Sequence, residues 1–70
     1  MRLSARNKIP ARVTGVTKGD ATANVELETA DGLRLVAAIT VEAAEELGVR
    51  PGSELVAVVK ASDVMLAENG

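Results

Sequence analysis

Ala21-Thr22-Ala23-Asn24-Val25-Glu26-Leu27-Glu28 alternates apolar and polar residues without interruption. A side-chain period of two puts Ala21, Ala23, Val25 and Leu27 on one face of an extended chain and Thr22, Asn24, Glu26 and Glu28 on the other, which is the pattern of a half-buried strand. Just downstream, Ala30-Asp31-Gly32 signals a hairpin, because Asp-Gly tolerates the positive backbone angles of a tight turn. Leu33-Arg34-Leu35-Val36-Ala37-Ala38-Ile39-Thr40 then pairs with the strand before it. Upstream, Ile9-Pro10-Ala11-Arg12-Val13-Thr14-Gly15-Val16 is rich in β-branched residues, and its early proline suits an edge or opening strand position. Thr17-Lys18-Gly19-Asp20 reads as the turn between the two strands.

Beyond residue 40 the pattern changes. Ala43, Ala44, Glu45 and Glu46 favour helix over residues 41–47, with Thr40 as N-cap, Glu42 at the positive end of the dipole and Gly48 as the stop. Val49-Arg50-Pro51-Gly52-Ser53 is another turn, and Glu54-Leu55-Val56-Ala57-Val58-Val59 is a strand apolar enough to be buried on both faces. Asp63-Val64-Met65-Leu66-Ala67 gives a last short strand or strand extension, with Met65 in the core. The expectation is an all-β chain with one short helix, lying between the penultimate and final strand regions, arranged as a small five-stranded OB-like barrel.

Composition excludes several chemistries. The 70 residues include no His, Cys, Trp, Tyr or Phe, so thiolate and imidazole metal sites, disulfides and redox motifs have no raw material. Without aromatic stacking platforms, and with a formal charge of -2, nucleic-acid binding is not expected. No apolar stretch reaches membrane-spanning or signal-peptide character, so the expectation is a cytoplasmic protein with no membrane partner. Catalysis lacks an activated nucleophile and a phosphate loop, and Glu42, Glu45 and Glu46 read as a solvated helix face, so the chain is expected not to be an enzyme. One domain over residues 1–70 buries only roughly 60% of its unfolded surface. With disulfides ruled out and 47% of the residues apolar, association with other copies is the expected supplement to the core.

Two short polar segments remain, Ser4-Ala5-Arg6-Asn7 and Lys60-Ala61-Ser62. Each offers cationic and neutral donors and neither contains a carboxylate, which suits an oxygen-rich anion. If folding brings them together they form an oxyanion receptor. Taken singly, Arg6 and Lys60 read as solvated charges, Ser4 and Ser62 as turn or strand-end residues, and Thr40 as a helix cap.

These segments, together with Ala37-Ala38-Ile39-Thr40 ahead of a helix ending Glu46-Leu47-Gly48 and the closing Val59-Lys60-Ala61-Ser62-Asp63-Val64-Met65, resemble a Mop domain, the module of the molbindins. The resemblance extends over the whole chain. It implies an OB-type barrel assembling as a homohexamer, a trimer of dimers, with oxyanion sites at subunit interfaces. By position, Ser4 and Arg6 would come from one chain and Thr40, Lys60, Ala61 and Ser62 from a neighbour, with Asn7 as a supporting donor. Where the family often carries a hydroxyl residue this chain has Ala43, leaving only a backbone N–H in the first turn of the helix to face an anion. A second class of site near the threefold axis is also implied. The Thr17-Lys18-Gly19 turn is a candidate for it, against its reading as an ordinary solvated turn.

The implied ligand is molybdate, with tungstate as an alternative. The molybdenum would be held only as the oxyanion, with no direct protein–metal ligands and no cofactor. Four acceptor oxygens on a tetrahedral dianion ask for donors on several sides, since removing a dianion from water costs many kcal/mol unless charge and hydrogen bonds replace the water. The implied role is storage, buffering and homeostasis. The competing reading is an OB-fold interaction module for RNA or protein, which would need the aromatic residues and basic surface that this chain lacks.

Overall fold

The computed structural model describes residues 6–68, in the order β1 (Asn7–Lys18), β2 (Thr22–Glu28), β3 (Arg34–Thr40), α1 (Val41–Leu47), β4 (Glu54–Val59) and a 3-10 turn at Ala61–Asp63. The four strands form one antiparallel sheet, ordered β3-β2-β1-β4, that curls into a half-barrel. The period-two run is β2, and the Asp31-Gly32 hairpin joins it to β3. Gly32 there has φ +88°, and its N–H bonds to Thr29 O at 2.9 Å.

β1 is divided between two neighbours. Its first half pairs only with β4, from Asn7 opposite Val59 to Arg12 opposite Glu54. Its second half pairs with β2, from Arg12 opposite Glu28 to Lys18 opposite Ala23. Thr14 is an extra residue in that ladder, because Val13 faces Leu27 while Gly15 faces Glu26. Such a bulge bends and twists its strand, which helps the sheet curl. Pro10 lies in the half with a single neighbour, where a missing N–H is tolerated.

The concave face carries Ala11, Val13, Val25 and Leu27 as a buried cluster, with Val16, Leu35, Ala37, Ile39, Val49 and Leu55 partly buried against it. Val13, 1% exposed, is the largest side chain fully buried among the described residues. Helix α1 closes one end by burying Ala44. Thr40 caps it, accepting the N–H of Ala43 at 3.0 Å, and Gly48 ends it at φ +64°. A seven-residue helix has little stability of its own, so these caps and the packing of Ala44 hold it.

Four expectations need correction. Thr17 and Lys18 belong to β1, paired with Asn24 and Ala23, so the turn starts at Gly19. β4 is not buried on both faces. Its exposure alternates, leaving Val56 and Val58 53% and 48% exposed, because a single curled layer covers only the concave side. No fifth strand forms over residues 63–67. The chain turns through Ala61–Asp63, held by Asp63 N–H to Lys60 O at 2.9 Å, and residues 64–67 pair with no strand of their own chain. Met65 is accordingly 91% exposed rather than in the core.

Two substitutions test this packing, monitored by far-UV circular dichroism in urea. Val13→Ala should cost about 2 kcal/mol by emptying the buried cluster. Gly48→Ala should cost about 1 kcal/mol, because its left-handed backbone resists a Cβ. A Val13→Ala midpoint equal to that of the original chain would contradict the core as described.

Candidate functional site

The register at the open end of β1 and β4 brings the two polar segments side by side within one chain. Asn7 lies opposite Val59, so Arg6 and Lys60 occupy the next facing positions, both exposed. Strand alternation sets Lys8 on the same outer face as Arg6. Among the described residues neither Arg6 nor Lys60 forms an ion pair. The side chain of Asn7 turns to the other face and donates from Nδ2 to Val59 O at 3.2 Å, tying the strands together and leaving one amide N–H for a ligand. Ala61 and Ser62 come directly after in the 3-10 turn and are exposed. Ser4 lies outside the described residues.

This end of the sheet is therefore a cluster of three cations, Arg6, Lys8 and Lys60, with neutral donors from Asn7 and Ser62 beside it. Asp63, in the same 3-10 turn, is the nearest carboxylate in sequence. Lys8 was not among the residues singled out from the sequence. Its signal was the spacing of two from Arg6 on a strand, which places both cations on one face.

Thr40 and Ala43 are elsewhere. Thr40 lies opposite Thr22 on β2, at the end of the sheet where β2 meets Lys18, whereas Lys60 adjoins the Asn7 end of β1. Thr40 and Lys60, which the resemblance assigned to one chain, thus lie at opposite ends of β1. The N–H of Ala43 is also not free to face an anion, since it already donates to Thr40 Oγ1. Only the hydroxyl proton of Thr40 remains as a donor there. A hollow of about 480 Å³ beside Thr40 is lined by Asp20, Glu42 and Glu45 together with Ala21 and Val41. Of these carboxylates Glu45 is paired with Lys18 at 3.9 Å. In a lone chain this corner repels a dianion, and an anion reaching Thr40 would need cations supplied from outside it.

A hollow of about 640 Å³ lies between the β2–β3 turn and β4 and includes Arg12, Glu28 and Glu54 but no candidate donor. Arg12 there pairs with Glu54 at 3.9 Å, so its charge is committed. Among the described residues no group of three carboxylates is placed to hold a metal ion, and no helix is long and apolar enough to cross a membrane.

Comparison with known proteins agrees with the fold and the segment order. A TOBE domain model matches residues 3–66. Molybdenum-pterin-binding protein 2 of Clostridium pasteurianum is 48% identical over 66 residues, 94% of this chain and 97% of that one. The molybdate-binding protein of Sporomusa ovata superposes with a TM-score of 0.92 at 35% identity, over 97% of this chain and all of that one. ModG, described as a cytoplasmic molybdate-binding protein and solved with molybdate bound, superposes with a TM-score of 0.89 at 40% identity, over 93% of this chain and 46% of its own. A half-barrel of this topology, carrying its polar segments in this order, belongs to the TOBE-domain family, among the molybdenum-pterin-binding proteins.

Proposed function

We propose that this chain is a single Mop domain over residues 1–70 that binds molybdate in the cytoplasm, with tungstate as an alternative ligand, and serves storage and buffering rather than catalysis. The observation that carries the reading is the pairing of Asn7 with Val59, which gathers Arg6, Lys8, Lys60 and the Ala61-Ser62 turn into one cationic end of the sheet. The names of similar proteins, molybdenum-pterin-binding and molybdate-binding, supply the anion. ModG supplies the compartment.

The site is placed between copies of a hexamer, a trimer of dimers. Arg6 and Lys60 are exposed in a lone chain, where solvent and salt screen their attraction for an anion. Enclosure by a second copy removes that screening and strengthens each charge-assisted hydrogen bond. The distance between Thr40 and Lys60 along the sheet supports the same placement. In this reading Arg6, Asn7, Lys60, Ala61 and Ser62 of one copy, with Ser4, face the Thr40 and Ala43 corner of another. Their cations would also offset the carboxylates around Thr40. Discrimination against sulfate, which shares charge and shape with molybdate, rests on cavity size.

Titration calorimetry with molybdate, and sulfate in parallel, tests this directly, because a chain without Trp or Tyr offers no intrinsic fluorescence to monitor. Saturable heat with molybdate and none with sulfate is expected. No molybdate heat at several temperatures would overturn the reading. Arg6→Ala and Lys60→Ala should each weaken binding roughly 10- to 150-fold, the equivalent of one charge-assisted hydrogen bond of about 1.5–3 kcal/mol. Both variants should keep the ligand-free assembly mass. Normal molybdate binding by both would show that the anion sits elsewhere.

A further inference from the structure

We infer that the segment after the 3-10 turn, residues 64–68, is an exchanged strand that lies along the open side of the first half of β1 in a second copy of this chain. The inference rests on the self-association in the functional reading, but not on the anion.

The donor segment has no strand partner within its own chain. Val64, Met65 and Leu66 are 47%, 91% and 94% exposed, which is costly for three consecutive apolar residues in water. Val64 N–H reaches back to Ala61 O at 3.3 Å, and beyond it no backbone hydrogen bond ties residues 65–68 to the sheet among the described residues. The segment is extended at its start, with Val64 at φ -84° and ψ 120°.

The acceptor is an unpaired strand edge of the same length. Residues 7–11 pair with β4 on one side, while pairing with β2 begins only at Arg12, so their other side is vacant. The curl of the sheet turns that side toward β3, whose outer edge is also unpaired. Ile9 on β1 and Leu35 and Ile39 on β3 are only partly buried, which leaves apolar surface for an added strand to cover. Unpaired edges of this kind recruit strands from other chains.

Charge selects the match. Residues 64–67 are bracketed by Asp63 and Glu68, and the first half of β1 carries Arg6 and Lys8. The outer edge of β4 is less suited, because Glu54 stands at its start. The segment's own β1 is a poor acceptor too. The chain leaves β4 on the far side of β1 through a hydrogen-bonded turn, so it would have to cross over the end of β1 to reach the vacant side.

A chain without cysteine makes the test clean. Ile9→Cys is combined with Met65→Cys in one variant and with Leu66→Cys in another. Neighbouring strand residues face opposite sides, so one of the two shares the face of Ile9 within disulfide reach. Mild oxidation should give a disulfide-linked dimer on a non-reducing gel. In parallel, a Met65→Asp and Leu66→Asp double variant should fall to a smaller assembly by native mass spectrometry while keeping its circular dichroism spectrum. A disulfide closed within one chain would overturn the inference, as would a double variant that keeps the original assembly mass. In the latter case molybdate heat from the original chain would leave the functional reading standing.

Discussion

The sharing of β1 between two neighbours is the constraint on which the rest of the molecule depends. Antiparallel pairing can serve both edges of a strand along its whole length, yet here β4 takes the first half and β2 the second, with Arg12 as the one position common to both. That offset stops the sheet from closing on itself and curls it instead. It also fixes the chemistry at each end. One end receives the start of β1 and the finish of β4, hence Arg6, Lys8 and Lys60. The other receives α1 and the carboxylates of Asp20, Glu42 and Glu45. The net charge of -2 conceals this separation, because a sum over the chain says nothing about its division between two ends.

A polarised chain of this kind is suited to pairing with itself. Its cationic end lacks an anion and its acidic corner lacks a cation, while the concave face buries only a few small and medium side chains. Val13 alone among the larger ones is sealed from solvent, and Leu35, Ile39 and Leu55 stay partly exposed. A core this thin is normal for a chain of 70 residues without cross-links. The ion pairs that are present add little to it. Arg12–Glu54, Lys18–Glu45 and Arg34–Glu28 are each 3.9 Å long and exposed, and such pairs contribute at most about 1 kcal/mol.

Local signals in the sequence located most of this architecture. The alternation over residues 21–28, the Asp31-Gly32 turn, the Thr40 cap and the Gly48 stop each act through neighbours in the chain, and the structure has β2, the hairpin, and both ends of α1 where they point. Signals that depend on distant partners were harder to read. The apolar run of β4 looks doubly buried only if a second layer is assumed, and residues 63–67 look like a strand only if an edge is available to them. The candidate site was legible to the same extent. Arg6 and Lys60 meet because of a register that no local pattern reveals, and Ala43 loses its N–H to a hydroxyl three residues away. The separation of Thr40 from Lys60 is a product of sheet order, which the linear spacing of the segments does not contain.

The extra residue in β1 has a consequence for how the strand's alternation is written. Before Thr14 the inward positions are odd-numbered, Ile9, Ala11 and Val13; after it the core contact is Val16, an even one. Arg6, Lys8 and Arg12 therefore share parity with Val16 yet occupy the opposite face of the sheet. Thr14 works as a phase shift, and its hydroxyl marks the spot by donating to Glu26 O at 3.3 Å. A chain shortened by this one residue could keep either its cations outside or Val16 inside, but not both. The spacing between the start of β1 and the β1–β2 turn is thus fixed to the single residue, although neither end of that interval touches the other.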